Sequence, residues 1–369
     1  MSILLEPIAI GGMKLKNRFV RSATQDGCSS EKGEVTDLTL QLYRALAQGG
    51  AGLIVSGFAY IHPTGQNFMR QAAIDSDDRI PGLARLTKEV HQYDGKIAAQ
   101  LVHCGRNSRA ARKRGLLPLA PSYLGDDAPG KESHRAMTPA EVEEMADAFR
   151  LAAMRAREAG FDAVQLHGAH SYLLSQFLSP CSNKRGDRWG GSLENRMRFH
   201  LEVVERIRKA VGKDFPLLIK LGVEDTVEGG LTIEEGCAVA EALCSRGIDA
   251  IEVSEGLETM GANHIKKGVD SPAKEAYYAS WGKRIKGAVN VPVILVGGLR
   301  SFRVIENVVR EGCADLVSMC RPFIREPDLV NRWRRGDRKP AACISCNLCL
   351  KKIGQEEPVE CVQAIRKGN

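Results

Sequence analysis

The sequence predicts an α/β protein: a single (β/α)8 barrel, or TIM barrel, followed by a short cysteine-rich C-terminal tail. Short apolar runs alternate with longer amphipathic segments, and eight such pairs follow one another along the chain. The short runs are rich in leucine, isoleucine and valine and show little polar alternation, which is typical of parallel strands buried on both faces. No G-x-G-x-x-G motif follows the first strand, so a doubly wound dinucleotide-binding sheet is not favoured.

The predicted strands occupy residues 19–24, 52–60, 96–103, 161–170, 216–224, 248–256, 292–299 and 315–323. Helical patterns follow them, the first from Thr36 to Gln48 and the second from Asp77 to Gln92. Later helices open at Thr138, Ser192 and Thr232, whose hydroxyl groups can accept a hydrogen bond from the first turn of a helix. These elements place the barrel within residues 1–335 and leave residues 336–369 as the tail.

Composition and charge narrow the class of protein. The chain has 369 residues, of which 43% are hydrophobic and 26% charged, and its formal net charge is +7. The basic excess is small and spread along the chain, so nucleic-acid binding is not predicted. The sequence shows neither a membrane-spanning apolar run nor a secretory signal pattern. We therefore expect a cytoplasmic protein whose eleven cysteines do not form structural disulfides.

Polar residues and glycines cluster at the C-terminal ends of the predicted strands, where barrel enzymes carry their active sites. Gly297-Gly298 and Cys320-Arg321 end the last two strands. Glycines let backbone amides approach a phosphate, and arginine can bind one through two parallel hydrogen bonds. The pattern predicts a phosphate site. Turn glycines beside a surface arginine would produce the same sequence pattern and are the alternative.

The fourth strand ends in LHGAHSYLL, which holds His167, His170 and Tyr172. Alternation puts His170 and Tyr172 on one face, and His167 joins them only if the strand ends or bulges there. Two imidazoles could polarise a carbonyl oxygen, and a nearby tyrosine could deliver a proton. Two buried core histidines are the plainer interpretation. A metal site would need a third ligand, and none stands at a usual spacing.

Several of these segments together resemble a known family. NRFVRSAT, QLVHCGR, the block from His167 to Arg196 and the closing GG and RPF motifs are similar to the Old Yellow Enzyme family of FMN-dependent ene-reductases. The tail is similar to the iron–sulfur segment of the trimethylamine dehydrogenase and 2,4-dienoyl-CoA reductase branch. The resemblance implies a barrel that binds FMN and takes electrons from NAD(P)H.

The resemblance also implies roles for single residues. His167 and His170 would bind a substrate carbonyl, and Tyr172 would protonate the α-carbon after hydride reaches the β-carbon. Arginine is usual in relatives at Lys220 and glycine at Cys320, so both positions depart from the family pattern. The implied cofactor-binding residues are Ala23, Thr24, Gln25, Gly57, Gln100, Lys220, Gly297, Gly298, Cys320 and Arg321.

The tail carries four cysteines with the spacing C-x2-C-x2-C-x11-C: Cys343, Cys346, Cys349 and Cys361. Four thiolates can hold a [4Fe–4S] cluster or a zinc ion. Zinc sites usually use two C-x2-C pairs, so a triple with a distant fourth cysteine favours the cluster. Free thiols remain the alternative.

The expected function is reduction of an activated C=C bond in an enone or enoyl-type small molecule. An amine dehydrogenase of the same family and a non-catalytic flavin and iron–sulfur electron carrier are the alternatives. Electrons would come from NAD(P)H or from a separate donor protein. We also expect a homo-oligomer.

The loop after the third strand, RNSRAARKRG at residues 106–115, is strongly basic. Loops that follow strands lie at the catalytic rim, so its cations could attract an anionic substrate. A solvated basic loop without a ligand is the plainer interpretation.

Overall fold

The structure is a computed structural model and describes residues 2–125, 132–258 and 265–365. Eight parallel strands pair in chain order, and the last pairs with the first, so the barrel is closed. The predicted fold class is therefore confirmed. The strands are β1 (Phe19–Arg21), β2 (Leu53–Val55), β3 (Ile97–Val102), β4 (Ala163–Gly168), β5 (Leu217–Glu224), β6 (Ala250–Glu255), β7 (Val293–Leu295) and β8 (Leu316–Met319).

Eight helices follow these strands and surround the barrel: α1 (Asp37–Gln48), α2 (Ile80–His91), α3 (Pro139–Glu158), α4 (Leu193–Val211), α5 (Ile233–Ser245), α6 (Ala279–Ala288), α7 (Phe302–Arg310) and α8 (Leu329–Arg334). The predicted starts of α1, α3 and α5 are confirmed, because Thr36, Thr138 and Thr232 each form a capping box with the third helical residue. The predicted start of α4 is confirmed as well, because the Ser192 side chain accepts a hydrogen bond from the amide of Asn195. None of the described helices is long and apolar enough to cross a membrane.

Smaller elements complete the chain. A hairpin of Ile8–Ile10 and Met13–Leu15 precedes the barrel, and Ala59–Tyr60 and the pair Leu119–Ala120 and Arg135–Ala136 are two-residue strands. Short helices span Arg109–Lys113, Leu173–Leu178, Arg321–Arg325, Leu348–Gly354 and Val362–Ile365. Single 3-10 turns lie at Ile3–Leu5, Pro63–Gly65, Asp77–Arg79, Gly105–Asn107 and Pro272–Lys274.

The barrel interior is layered because alternate residues of each strand face inward. The layer nearest the N-terminal ends is apolar, and Ile10, Met13 and Leu15 of the hairpin pack onto it. It contains Val20, Leu53, Val55, Ala98, Ala163, Leu218, Ala250, Ile294 and Leu316. Two residues further along, the next layer is polar yet buried: Ser22, Gln100, Gln165, Lys220 and Glu252. The hairpin closes one end, and the polar layer forms the floor of the other.

Seven of the eight predicted strands run too far at their C-terminal ends, and the fifth ends at Glu224 as predicted. The seventh stops at Leu295 because Gly297 and Gly298 take φ of +134° and +71°, which a strand cannot continue through. The eighth stops at Met319, and Arg321 opens a short helix with Pro322 in its first turn. The residues predicted to bind a phosphate therefore lie on a loop and at the start of a helix, and not on strands.

The tail lies against the C-terminal rim of the barrel. The amide of Val359 donates to the carbonyl of Asp26 at 2.7 Å, and the amide of Ala341 donates to that of Arg300 at 2.9 Å. Ser345 accepts from the amide of Gly268 at 3.1 Å. The four cysteines are thereby carried to the side of the barrel where the strands end.

Candidate active site

A cavity of about 510 Å³ opens at the C-terminal ends of the strands. Its wall includes many of the residues singled out in the sequence: Ala23, Thr24, Gln25, His167, His170, Tyr172, Lys220, Gly298, Cys320 and Arg321. The hydroxyl oxygen of Thr24 lies 2.8 Å from the sulfur of Cys320, so strands β1 and β8 meet at this wall. The structure thus brings residues from five strands to one place.

Three predicted residues lie behind the wall. Gly57 packs where a Cβ atom would come within 2.7 Å of an Asp26 carboxylate oxygen, so it serves the backbone of the β2 loop. Gly297 precedes the cavity-lining Gly298. Gln100 is fully buried in the polar layer beneath the cavity, and its amide donates to Gln165 Oε1 at 2.7 Å.

The three ring side chains after β4 converge. Strand β4 ends at Gly168, and His170 and Ser171 both take left-handed conformations, with φ of 59° and 58°. Their amides donate to Glu255 and Gly256 at the end of β6, each at 3.1 Å, and these bonds offset a backbone cost on the order of 1–3 kcal/mol per residue. The turn brings His170 round to His167.

The resulting geometry forms a cluster of polar rings. The ring of His167 lies 5.0 Å from that of His170 and 4.9 Å from that of Tyr172, both edge to face. A hydrogen bond of 2.8 Å joins His170 Nε2 and Ser254 Oγ. Phe58 packs beside His167 and Tyr172 and closes the apolar side. This cluster can present two imidazoles and a phenol to one bound group.

The hydroxyl of Tyr172 accepts a hydrogen bond of 3.4 Å from the side-chain amide of Asn67. Burial raises the pKa of Tyr172, and the contact with Asn67 opposes only part of that effect. The phenol therefore stays protonated at neutral pH and can donate its proton to an acceptor in the cavity.

Below the cavity, the polar layer forms one connected network. Lys220 Nζ lies 3.0 Å from Glu252 Oε1 and donates to Ser22 Oγ at 2.8 Å. Gln165 donates to the other carboxylate oxygen of Glu252 at 2.9 Å. Burial alone would raise the pKa of Glu252, but its attraction to Lys220 and the hydrogen bonds it accepts lower the pKa below its usual value. The carboxylate is ionised and holds the Lys220 ammonium at the cavity floor.

The opposite end of the cavity is built around glycines and arginine. A Cβ atom on Gly298 would lie 2.8 Å from the ring of Tyr277, so only glycine fits there. Arg321 is almost fully buried, and its guanidinium donates to the Lys266 carbonyl at 2.9 Å and to Asn347 Oδ1 at 2.6 Å. Asn347 belongs to the tail, so the tail orients an arginine of the cavity wall.

The four tail cysteines line a second, small cavity of about 20 Å³, together with Arg321 and Ile324. Arg321 and Ile324 also line the large cavity, so one layer of side chains separates the two. Among the described residues, no three histidine, cysteine, aspartate or glutamate side chains converge as a metal site. The four cysteines therefore share the wall of one small cavity, but their side chains are not gathered as the ligands of a metal ion.

The chain matches the NADH:flavin oxidoreductase / NADH oxidase family over residues 3–339. It belongs to that family. An NADH oxidase of Thermoanaerobacter brockii is 37% identical over 341 residues, which are 92% of this chain and 52% of that protein. An NADPH dehydrogenase of Clostridium acetobutylicum is 36% identical over 328 residues, which are 89% of this chain and 93% of that protein.

Comparison with solved structures gives the same family fold. A 2-naphthoyl-CoA reductase complexed with 2-naphthoyl-CoA superposes with a TM-score of 0.89 at 29% identity, over 97% of this chain and 56% of that one. An Old Yellow Enzyme homologue from Zymomonas mobilis superposes with a TM-score of 0.78 at 26% identity, over 98% of both chains. The chain spans about half the length of the first curated relatives it matches.

Membership in this family of flavin oxidoreductases supports FMN as the cofactor. The residues of the cavity fit FMN. Beneath the cavity, Gln100 Oε1 is buried without a hydrogen-bond partner among the described residues, which suits a donor on the flavin ring. Lys220 supplies a fixed cation at the floor, and Gly298 and Arg321 leave room and charge for a phosphate.

Some site residues carry no signal in the sequence. Asn67 and Phe68 lie in the loop after β2 and Tyr277 lies before α6, yet all three line the cavity. Glu252 could have been found, because a carboxylate in an apolar strand must be paired. Asn67 could not, because its role depends on a contact between distant loops.

Proposed function

We propose that this flavin oxidoreductase reduces an activated C=C bond of an unsaturated carbonyl compound. The observation that carries the proposal is the cluster of His167, His170 and Tyr172 on the wall of the FMN cavity. Two imidazole N–H groups directed at one carbonyl oxygen would withdraw electrons from the conjugated double bond. That polarisation makes the β-carbon accept a hydride.

The proposed reaction adds one hydride and one proton across the C=C bond, which is a two-electron reduction. When bound, FMN supplies the hydride that goes to the β-carbon. His167 and His170 hold the carbonyl oxygen as negative charge develops on it. Tyr172 gives its proton to the α-carbon, and water restores the proton to the phenol. The product is the saturated carbonyl compound.

For the tail, we propose that Cys343, Cys346, Cys349 and Cys361 hold a [4Fe–4S] cluster. The spacing C-x2-C-x2-C-x11-C supports a cluster over one zinc ion, because zinc sites usually use two C-x2-C pairs. The layer formed by Arg321 and Ile324 would let single electrons pass between the cluster and the flavin. The electron source could then be a separate donor protein.

Amine oxidation is the alternative within the same family, since a histamine dehydrogenase from Rhizobium superposes with a TM-score of 0.86 at 28% identity. The histidine pair favours the carbonyl substrate, because oxidation of an amine uses no carbonyl clamp. A non-catalytic electron carrier would bind FMN without reducing any enone.

The test measures the two half-reactions separately under anaerobic conditions. Reduction of bound FMN by NADH should be nearly unchanged in His167→Ala and His170→Ala. Reoxidation by 2-cyclohexenone should slow by about 10²–10³-fold, the usual loss for one charge-stabilising donor. Normal reoxidation in both variants would contradict the carbonyl clamp. If no enone reoxidises the reduced FMN and the protein oxidises an amine, the result would favour the amine dehydrogenase alternative.

A further inference from the structure

Two arginines of the loop after β3 stand at the mouth of the active-site cavity. Arg109 and Arg112 are exposed and also line the cavity. They lie three residues apart on the helix Arg109–Lys113, so their side chains share one helix face. Neither guanidinium forms an ion pair with a carboxylate among the described residues. Adjacent cations without a counter-ion create a local field that attracts an anion.

Lys113 and Arg114, the next two cations of the loop, are engaged elsewhere. Lys113 Nζ lies 3.9 Å from Glu356 Oε1 of the tail, and Arg114 donates to the carbonyl of Glu31. Neither Lys113 nor Arg114 lines the cavity. The four cations from Arg109 to Arg114 therefore divide into two that line the cavity and two that face the rim.

Arg109 is held in place. Its Nε donates to Asn67 Oδ1 at 3.0 Å, and its guanidinium carbon lies 5.5 Å from the ring centre of Phe68. A fixed guanidinium loses less entropy when it binds an anion through its outer nitrogens. Asn67 also reaches the hydroxyl of Tyr172, so the arginine lies two hydrogen bonds from the proposed proton donor.

The charge of the whole wall points the same way. Five basic side chains line the cavity within the described residues, against one carboxylate, that of Glu258: Arg109, Arg112, Lys220, Arg300 and Arg321. Lys220 is neutralised by Glu252, and Arg321 belongs to the phosphate end. Arg300 donates to the backbone carbonyls of Val269 and Ala341, so Arg109 and Arg112 are the two adjacent cations that remain at the mouth.

We propose that Arg109 and Arg112 form an anion subsite that binds a carboxylate or phosphate of the molecule whose reacting end lies at His167 and His170. This inference rests on the proposed function for the position of the reacting end. Either of two molecules could carry the anion: the unsaturated substrate, or NAD(P)H through its phosphates. Both present the same chemistry to the two guanidinium groups.

The test compares a matched pair of substrates, 3-oxocyclohexene-1-carboxylate and its methyl ester, which differ by one charge. In the FMN-loaded protein, Arg112→Gln should raise KM for the acid about fivefold and leave KM for the ester unchanged, as expected for an exposed ion pair. Added salt should weaken binding of the acid in the wild type and much less in the variant. A parallel arm measures the dependence of FMN reduction on NADH concentration.

Lys113→Gln is the control, because it removes one charge from the same helix but from a side chain that faces the tail. This variant should leave KM unchanged for both the acid and the ester. If Arg112→Gln raises KM for the acid alone, the subsite binds the substrate. If it raises only the NADH concentration needed for half-maximal FMN reduction, the subsite binds the dinucleotide. Equal effects of Arg112→Gln and Lys113→Gln, or no effect in either arm, would overturn the subsite.

These outcomes separate the subsite from the reaction. If the wild type reduces neither enone, the proposed function fails, while a specific effect of Arg112→Gln on NADH would still support the subsite. If the wild type reduces acid and ester equally and Arg112→Gln changes nothing, the reaction stands and the subsite is wrong.

Discussion

Asn67 contacts two charged or reactive groups, and its amide can serve each of them in only one way. Arg109 donates to its oxygen, so its NH2 group is left to donate to Tyr172. The tyrosine oxygen then accepts one bond, and its own hydrogen is free to point into the cavity. Arg109 thereby sets the direction of a proton that it never touches.

Replacing Asn67 with aspartate tests this arrangement. The carboxylate would accept a hydrogen bond from Tyr172 and turn its proton away from the cavity. We expect reoxidation of reduced FMN by an enone to slow about tenfold, a part of the roughly 10²–10⁴-fold that a well-positioned general acid contributes, while reduction by NADH stays normal. In a Tyr172→Phe background, Asn67→Asp should add nothing. An equal loss in both backgrounds would show that Asn67 acts by another route.

At the scale of elements, the sequence predicted the number, order and type of strands and helices well. The apolar strand pattern and the Thr36, Thr138 and Thr232 caps are local signals, and the structure follows them. The C-terminal ends of all the strands except β5 were predicted too late. The turn at His170 depends on hydrogen bonds to β6, which lies more than eighty residues away, and no local pattern encodes it.

The basic loop shows the same limit. Its charge was visible in the sequence, but the division between cavity-facing Arg109 and Arg112 and tail-facing Lys113 was not. Helical spacing alone puts Lys113 only 100° from Arg112. The position of Glu356 in the tail decides where that lysine points.

Helix α4 carries a buried histidine that makes stability depend on pH. His200 is fully buried, and neither ring nitrogen has a hydrogen-bond partner among the described residues. Burial lowers its pKa to about 3. The histidine of the unfolded chain takes up a proton near pH 6.5, and the buried histidine of the folded chain does not. The contribution of His200 to the free energy of unfolding is therefore fully present above pH 6.5 and is lost as the pH falls toward 3.

We expect His200→Phe to flatten this dependence. Between pH 6 and pH 5, the free energy of unfolding of the wild type should fall by about 1.2 kcal/mol more than that of the variant, slightly less than the value for one full proton per pH unit. Denaturant unfolding at pH 7, 6 and 5 measures the difference. Phe149→Leu, a change in the same core that titrates nothing, should shift all three values by a constant. Parallel curves for His200→Phe and the wild type would contradict the assignment.

At the scale of the whole molecule, the tail completes the rim of the barrel. Ser345, Leu350 and Ile353 line the active-site cavity, and Asn347 holds Arg321. The sequence pointed to a cluster from cysteine spacing, but the shared wall of Arg321 and Ile324 is visible only in three dimensions. A cofactor in the tail would therefore act on the flavin through one layer of protein.

The last prediction separates the two cofactors. Protein prepared without oxygen should contain about four iron and four sulfide per chain, as a [4Fe–4S] cluster requires. Cys346→Ser should remove the iron and the broad absorbance beneath the flavin bands. It should leave FMN bound, because the floor and most of the cavity wall come from barrel strands and their loops. Cys181→Ser, at a cysteine that bonds the carbonyl of Glu228 away from both cavities, should keep iron and FMN alike. Zinc in the anaerobic wild-type protein would contradict the cluster, and loss of FMN together with iron in Cys346→Ser would show that the tail also forms the flavin site.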